Sequence, residues 1–415
     1  MVTRVGLKAL CAVLCAILLP LAADPCRGAE WSFEPSVSLR SEYNDNIQLT
    51  PDPHPTVWGM MLSPDVKFSL ATETLTVTGG LNLSFNRYLN QPQLNIDNYD
   101  LSLRSSYKLE RDSLQLNLDA IRDSTLVSEL ATTGVVLAYA PRNLATVTPS
   151  WSRSLTEATS ITASYTYTDV RYQHTSGTSL TPYTDQSASL GMQSKVEEAK
   201  VLHLVAYYDR YETPSPQTRQ NTYGVHGGYD HAFSETLRGT FLVGWRRTQS
   251  TVSSQVLICD GPIVVGICNG TVTETTAVQK QNTSGFTLNA VLEKRSETDT
   301  VTGRLSQEIY PSGAGSLVQT QRVGINWAKQ WSPTLSSNVD AAAYQTDYIG
   351  GVVTSSNSRY YSLNSSLSWR LSEWGKLDVG YNYARQKYDT VPVAASNNVI
   401  YLSFSYAWPK LSVSR

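Results

Sequence analysis

The histidines and their acidic neighbours are the first place to look for chemistry. They are His54, His174, His203, His226 and His231. None stands at a spacing that would close on a metal ion. Asp230 and His231 are adjacent, and adjacent residues of a strand point to opposite faces, so they cannot form a dyad. His203 and Asp209 share a face but lie roughly 20 Å apart along a strand. No GxSxG elbow, HExxH pair, CxxCH attachment site or phosphate-cradling glycine loop occurs. The expectation is no catalytic residue, no metal ligand and no cofactor. A hydrolase site assembled from several strands is the less favoured alternative.

Cysteine chemistry is confined to one place. Cys11, Cys15 and Cys26 fall in or beside an apolar N-terminal stretch, whereas Cys259 and Cys268 bound the short sequence CDGPIVVGIC. In an oxidising compartment these two most simply form a disulfide, and two free thiols are the alternative. Gly261, Pro262 and Gly266 let the chain reverse between them. The absence of CxxC leaves a zinc ribbon or redox pair unsupported.

The remaining candidates are charges at polar positions of alternating segments: Glu34, Arg40, Glu42, Asp65, Lys67, Asp100, Arg104, Asp119, Arg304, Glu308, Arg370 and Asp378. Their signs are mixed. A ring of one sign would indicate an ion filter, whereas mixed charges pair across strands or bind water.

The element that must position them repeats along the chain. Leu81, Leu83 and Phe85 alternate with Asn82 and Ser84, Leu116 and Leu118 with Asn117, Leu288 with Asn289, Leu367 with Ser366, and Phe404 and Tyr406 with Ser405. This is the period of a strand with one apolar and one polar face. Short connections (71–74, 110–112, 155–159, 197–200, 234–236, 295–299, 331–334, 372–375) alternate with longer ones (47–56, 90–96, 125–134, 174–182, 213–221, 251–283, 312–318, 349–358, 390–397). Eight short turns and nine long loops imply eighteen antiparallel strands in consecutive hairpins. The fold class expected is all-β, a transmembrane up-and-down barrel of about eighteen strands. A soluble sandwich would leave sheet edges bare, whereas a bilayer forces closure.

Composition agrees. Charged residues are only 16%, and Tyr 24 and Trp 9 outnumber Phe 7, a bias suited to an interface. Trp151, Trp327, Trp331, Trp369, Trp374 and Trp408 fall beside short turns. Tyr43, Trp58, Tyr88, Tyr99, Tyr223, Trp245, Tyr344, Tyr348, Tyr360 and Tyr361 fall near long loops. Two such clusters are expected to form two aromatic girdles. A net charge of -2 argues against a nucleic-acid partner. The longest loop, 251–283, is the expected candidate to plug the lumen, with a surface loop as the alternative. Arg4 and Lys8 before the apolar run from Ala9 to Ala23 read as an export signal, removed as residues 1–29, which leaves 30–415 as the barrel; cleavage after Ala23 is the alternative.

The stretch Ser41-Glu42-Tyr43-Asn44-Asp45-Asn46-Ile47 resembles the opening strand and loop of outer-membrane β-barrel porins that accompany exopolysaccharide-secretion gene clusters. Read without that resemblance, Asn44-Asp45-Asn46 is a turn at a strand end. The resemblance implies an outer-membrane channel or export accessory of a Gram-negative cell, with outer-membrane lipid, the barrel-assembly machinery and polysaccharide-export components as partners. A general diffusion porin for small solutes is the alternative, and a structural barrel a further one. One departure from such barrels is the end of the chain: Arg415 is last, and the nearest aromatic is Trp408. The final strand is expected to stop near Trp408 with a short tail.

Overall fold

A computed structural model describes residues 29–51, 54–133, 139–173, 180–214, 217–260, 263–264, 267–268, 271–349 and 357–414. Apart from Ala29, the expected export signal lies outside the described residues. The alternating segments become eighteen strands of one closed antiparallel barrel. They are β1 (Glu30–Asn44), β2 (Val57–Ala71), β3 (Leu75–Tyr88), β4 (Ile96–Lys108), β5 (Asp112–Ser124), β6 (Pro141–Ser154), β7 (Thr159–Tyr172), β8 (Tyr183–Glu197) and β9 (Lys200–Pro214). β10 (Gln217–Ala232), β11 (Leu237–Cys259), β12 (Val272–Arg295), β13 (Asp299–Pro311), β14 (Leu317–Gln330), β15 (Leu335–Ile349), β16 (Ser358–Arg370), β17 (Gly375–Tyr388) and β18 (Ala395–Ala407) complete it. Among the described residues one α-helix, α1 (Thr125–Thr133), follows β5, and a 3-10 turn (Pro92–Leu94) follows β3.

Five of the eight short turns share one chemical device. A hydroxyl at the first position accepts the N–H three residues on. The pairs are Thr72 with Leu75 at 2.9 Å, Thr156 with Thr159 at 3.0 Å, Ser234 with Leu237 at 3.1 Å, Ser332 with Leu335 at 3.1 Å and Ser372 with Gly375 at 2.9 Å. A side chain that mimics a backbone acceptor fixes a tight reversal. That is why these turns are short and uniform.

The barrel closes through β1, which pairs with β2 on one side and with β18 on the other. The residues after Trp408 are not a free tail. Leu411–Ser414 resumes the closing strand and pairs with Glu30 to Phe33, beyond a gap that holds Pro409. Proline has no N–H to give a ladder, which accounts for the interruption. At the long-loop end of the same seam, Asn44, Asp45 and Asn46 form a clasp. Asn46 donates to the carbonyls of Thr50 at 2.7 Å and Ser396 at 2.9 Å. Asn397 donates to Asn44 at 2.8 Å, and Asp45 accepts the Asn398 N–H at 2.7 Å.

Side chains divide as the alternation requires. Leu81, Leu83, Leu116, Leu288, Leu367, Phe404 and Tyr406 stand on the outward face. Asn82, Ser84, Asn117, Asn289, Ser366 and Ser405 stand on the lumen face. Lumen-facing hydroxyls and amides pair between strands, as in Thr146 with Thr168 at 3.2 Å, Ser164 with Ser189 at 2.7 Å and Asn326 with Asn338 at 3.1 Å. Trp151, Trp327, Trp369 and Trp408 mark one outward aromatic belt, and Tyr43, Trp58, Tyr99, Tyr223, Trp245 and Tyr361 the other. Four tyrosines expected in that second girdle are not in it. Tyr88, Tyr344, Tyr348 and Tyr360 have lumen parity.

Two expectations about the long loops need correction. Residues 125–134 were expected as plain loop, and most of them are α1. The described residues of 251–283 do not plug the lumen. β11 and β12 stay paired from Leu237↔Lys294 to Cys259↔Val272, so the segment is a two-stranded ribbon continuing past the barrel rim. Residues 271–282 of the ribbon are exposed throughout. Its Thr and Val residues suit a ladder better than a lumen plug. On its other side, β12 leaves the sheet. Pairing between β12 and β13 begins only at Leu288↔Gln307.

Candidate functional site

Two of the connections that enter the lumen meet there. The first is α1, which leaves β5 and crosses to the far wall. Its Leu130 packs with Ala342, Tyr344, Tyr360 and Ala395, lumen-facing residues of β15, β16 and β18, and with Leu49. The Thr346 hydroxyl donates to the Thr133 carbonyl. Tyr344 and Tyr360 stack at 5.4 Å beneath it, and the Arg322 guanidinium lies 4.7 Å from the centre of the Tyr344 ring.

The second is the turn between β13 and β14, residues 312–317, every one of them buried. Here the outer ends of β13, β14 and β15 lean across the lumen. They are free to do so because β12 no longer holds β13 above Leu288. Leu317 and Ile349 pack against Val170, Tyr183 and Tyr211 on the inner face of β7, β8 and β9. The Tyr211 hydroxyl donates to the Ser312 carbonyl at 2.7 Å. Gln220 donates to the Ile349 carbonyl at 2.6 Å and accepts the Leu317 N–H at 2.6 Å. The Thr181 N–H reaches the Gly313 carbonyl at 2.8 Å.

Glu129 of α1 ties the two insertions together. Its carboxylate accepts the Tyr172 hydroxyl and the Gly313 N–H. Burial pushes this carboxyl above the usual glutamate range, against the opposite pull of Tyr172, Arg142 and Gly313. The nearby Arg142 is itself held by Asp123 at 3.1 Å. Residue 313 has to be glycine, because a Cβ there would stand 2.5 Å from the Tyr172 hydroxyl and 2.9 Å from the Glu129 carboxylate. Gly315, at φ +82°, makes the reversal.

Two rungs from Gln220 toward the short-turn end lies Arg246 of β11. It faces the lumen and is 3% exposed. It donates to Gln319 at 2.5 Å and to Thr248 at 3.3 Å, while its Nε has no acceptor. Among the described residues no carboxylate pairs with it. On the adjacent rung, His226 Nε2 and Thr287 Oγ1 are also buried without a partner. The Tyr207 ring rests against His226 at 4.7 Å. A buried guanidinium without a counterion is costly, and hydrogen-bonding groups left open beside it lower that cost only when something fills them. Chemically these groups suit a carboxylate or a hydroxyl, and all of them are buried.

Strand parity puts every expected lumen charge on the inner wall. Arg104 meets Asp119 at 2.6 Å, Arg40 meets Glu42 at 2.8 Å, and Glu34 meets Lys410 at 3.1 Å. Asp378 takes Lys376 at 2.9 Å, Asp65 accepts from Asn82 at 3.4 Å, and Glu308 accepts from Asn289 at 3.1 Å. Lys67, Asp100, Arg304 and Arg370 form no ion pair among the described residues. These charges line the wall and are not gathered into one centre. A His–Asp contact does exist, but it joins His203 to Asp230 across β9 and β10 at 2.8 Å rather than to Asp209. Cys259 is disulfide-bonded. The Cys268 side chain lies outside the described residues.

Sequence reasoning missed Arg246, Glu129 and the 312–317 insertion. Arg246 is followed by Arg247, and only the register says which of the two faces inward. Glu129 carried one available signal: Leu126 and Leu130 stand four apart around it, a helical spacing inside an expected loop.

No protein-family model matches the chain, and no curated protein matches it. Solved structures of similar architecture exist. The outer membrane protein opdK of Pseudomonas aeruginosa aligns with a TM-score of 0.46 at 11% identity, over 92% of this chain and 99% of its own. OccK2 (OpdF) of the same organism, in complex with glucuronate, aligns at 0.46 and 10% identity, over 91% and 98%. OccAB3 of Acinetobacter baumannii aligns at 0.44 and 12% identity, over 91% and 99%. The likeness is one of barrel architecture at low identity and goes no further.

Proposed function

We propose that the chain is an outer-membrane channel for small polar or anionic solutes, with the path narrowed near its outer mouth. One observation carries the reading. Within a closed barrel whose outward belts suit a bilayer, α1 and residues 312–317 converge in the lumen beside the uncompensated Arg246. Inserted segments of this kind leave room for small solutes and obstruct a polymer. That favours the diffusion-channel reading over the exopolysaccharide path implied by the opening strand. Export of residues 1–29, insertion by the barrel-assembly machinery, and pairing of Cys259 with Cys268 belong to the same proposal.

Planar-bilayer conductance of the purified protein tests it, together with liposome swelling in sugars and carboxylates of graded size. Small carboxylates should permeate faster than neutral solutes of equal size, and Arg246→Gln should remove that difference. No conductance, or free passage of long oligosaccharides, would sink the reading.

A further inference from the structure

The outward face offers a second feature, at the long-loop end of β16 and β17. Arg359 of β16 and Lys387 of β17 stand directly opposite each other there, and Arg385 stands opposite Tyr361. All three cations are exposed. Like charges placed opposite on one face repel. Among the described residues none of the three has an ion pair. Asp347 and Asp389 lie near one another further toward the rim and pair with none of them.

At several other places at this level the protein supplies its own counterions. Arg87 meets Asp97 at 2.6 Å, and Arg171 meets Asp169 at 2.9 Å. Glu212 takes Arg210 at 2.8 Å and Arg219 at 2.6 Å. Arg122 and Arg247 also have no ion pair, but each is a single charge, and Arg122 is held by the Gln173 side chain at 3.3 Å. Among the described residues, only β16 and β17 hold three unmatched cations together.

Their height is set by the aromatic belt. Arg359 lies two residues past Tyr361, about 7 Å along the strand. The row of Arg359 and Lys387 continues through Gln345 and Gln321, amides able to donate. One row inward the same surface turns apolar, with Ala343, Val323 and Leu305 flooring a shallow groove. Cations and amides above an apolar groove, at the edge of an aromatic belt, match a phosphate carried on acyl chains.

We propose that this face of β16 and β17 binds the phosphate-bearing headgroup of a lipid of the outer leaflet. The inference rests on the outer-membrane reading.

The test compares wild type with R359Q/R385Q/K387Q and with a control, R87Q/R171Q. Each is refolded in detergent, and closure is checked by the heat-dependent gel shift. Native mass spectrometry then counts retained bis-phosphorylated lipid A, the dephosphorylated lipid, or inorganic phosphate. Wild type and control should retain the phosphorylated lipid about tenfold better than the dephosphorylated one, the scale of charge-assisted contacts. The triple variant should lose that preference with its gel shift intact. Equal preference in wild type and triple variant overturns the site, as does inorganic phosphate binding as tightly as the lipid. Fractionation of the cell-expressed wild type away from the outer membrane overturns the membrane reading and the site together. Correct fractionation with no lipid preference overturns the site alone.

Discussion

Asn46 shows how a single polar side chain can hold a seam. It is 1% exposed, and its amide serves the carbonyls of Thr50 and Ser396 while accepting the Thr50 N–H. Asn46→Ala leaves those buried groups without partners, at a cost of about 1–3 kcal/mol each before relaxation. The midpoint of the heat-dependent gel shift should fall, whereas Ser366→Ala in mid-wall should leave it unchanged. Sequence alone read Asn44-Asp45-Asn46 as a turn. It could not show that the turn bonds to residues 396–398, because nothing local announces a partner some 350 residues away. Glu129 carries a second prediction. Its folded carboxyl binds a proton more tightly than an ordinary glutamate does. The locked insertion is therefore favoured while the carboxyl is protonated. That advantage is lost as pH rises from 4.5 through the raised value. The groups facing it are Tyr172, Arg142, Asp123 and the Gly313 N–H. Protease access to residues 310–318 should increase with pH, and Glu129→Gln should flatten the profile. A wild-type profile already flat would refute the lock.

At the scale of the element, strands were legible and insertions were not. Alternation depends only on neighbours in sequence, so Leu116 outward and Asn117 inward follow directly from it. The inward lean of β13, β14 and β15 depends on where β12 lets go, which no local pattern encodes. The 251–283 segment misled because Ile258, Ile263 and Val265 look too apolar for water, although they suit a ribbon equally well. Two outcomes separate these elements. Gly313→Val should expel residues 312–317 and raise conductance, because the added side chain would overlap Tyr172 and Glu129. Replacing Cys259 and Cys268 together by Ser should leave conductance unchanged, since the ribbon does not enter the lumen. A change in conductance from the cysteine pair, or none from Gly313→Val, would reverse that assignment.

Over the whole molecule, the constraint is closure. Every backbone group in the apolar band has to be paired within the protein, so β1 must find both β2 and β18. An even strand count then follows from short and long connections alternating, and that much was readable from the chain. Leu116→Arg places a guanidinium on the outward face of β5, one outward row inside the belt marked by Trp151, and should hinder assembly by less than the about 2–4 kcal/mol of a midplane site. Recovery of folded protein from urea into vesicles, compared with Asn117→Arg, measures it. The inward-facing substitution should cost less.

The ribbon of β11 and β12 has a consequence for proton exchange. From Val272 to Thr287, β12 is hydrogen-bonded to β11 on one side only. At the first free rung, Gln307 donates its side-chain amide to the Phe286 carbonyl at 3.0 Å, in place of a missing backbone partner. Beyond it, every second amide points at β11 and the others at the vacated edge. Deuterium should therefore enter this strand with a period of two, one amide protected and the next quick. Below Leu288 both sets should be slow. Uniform protection along 272–287 would mean that another strand lies against this edge.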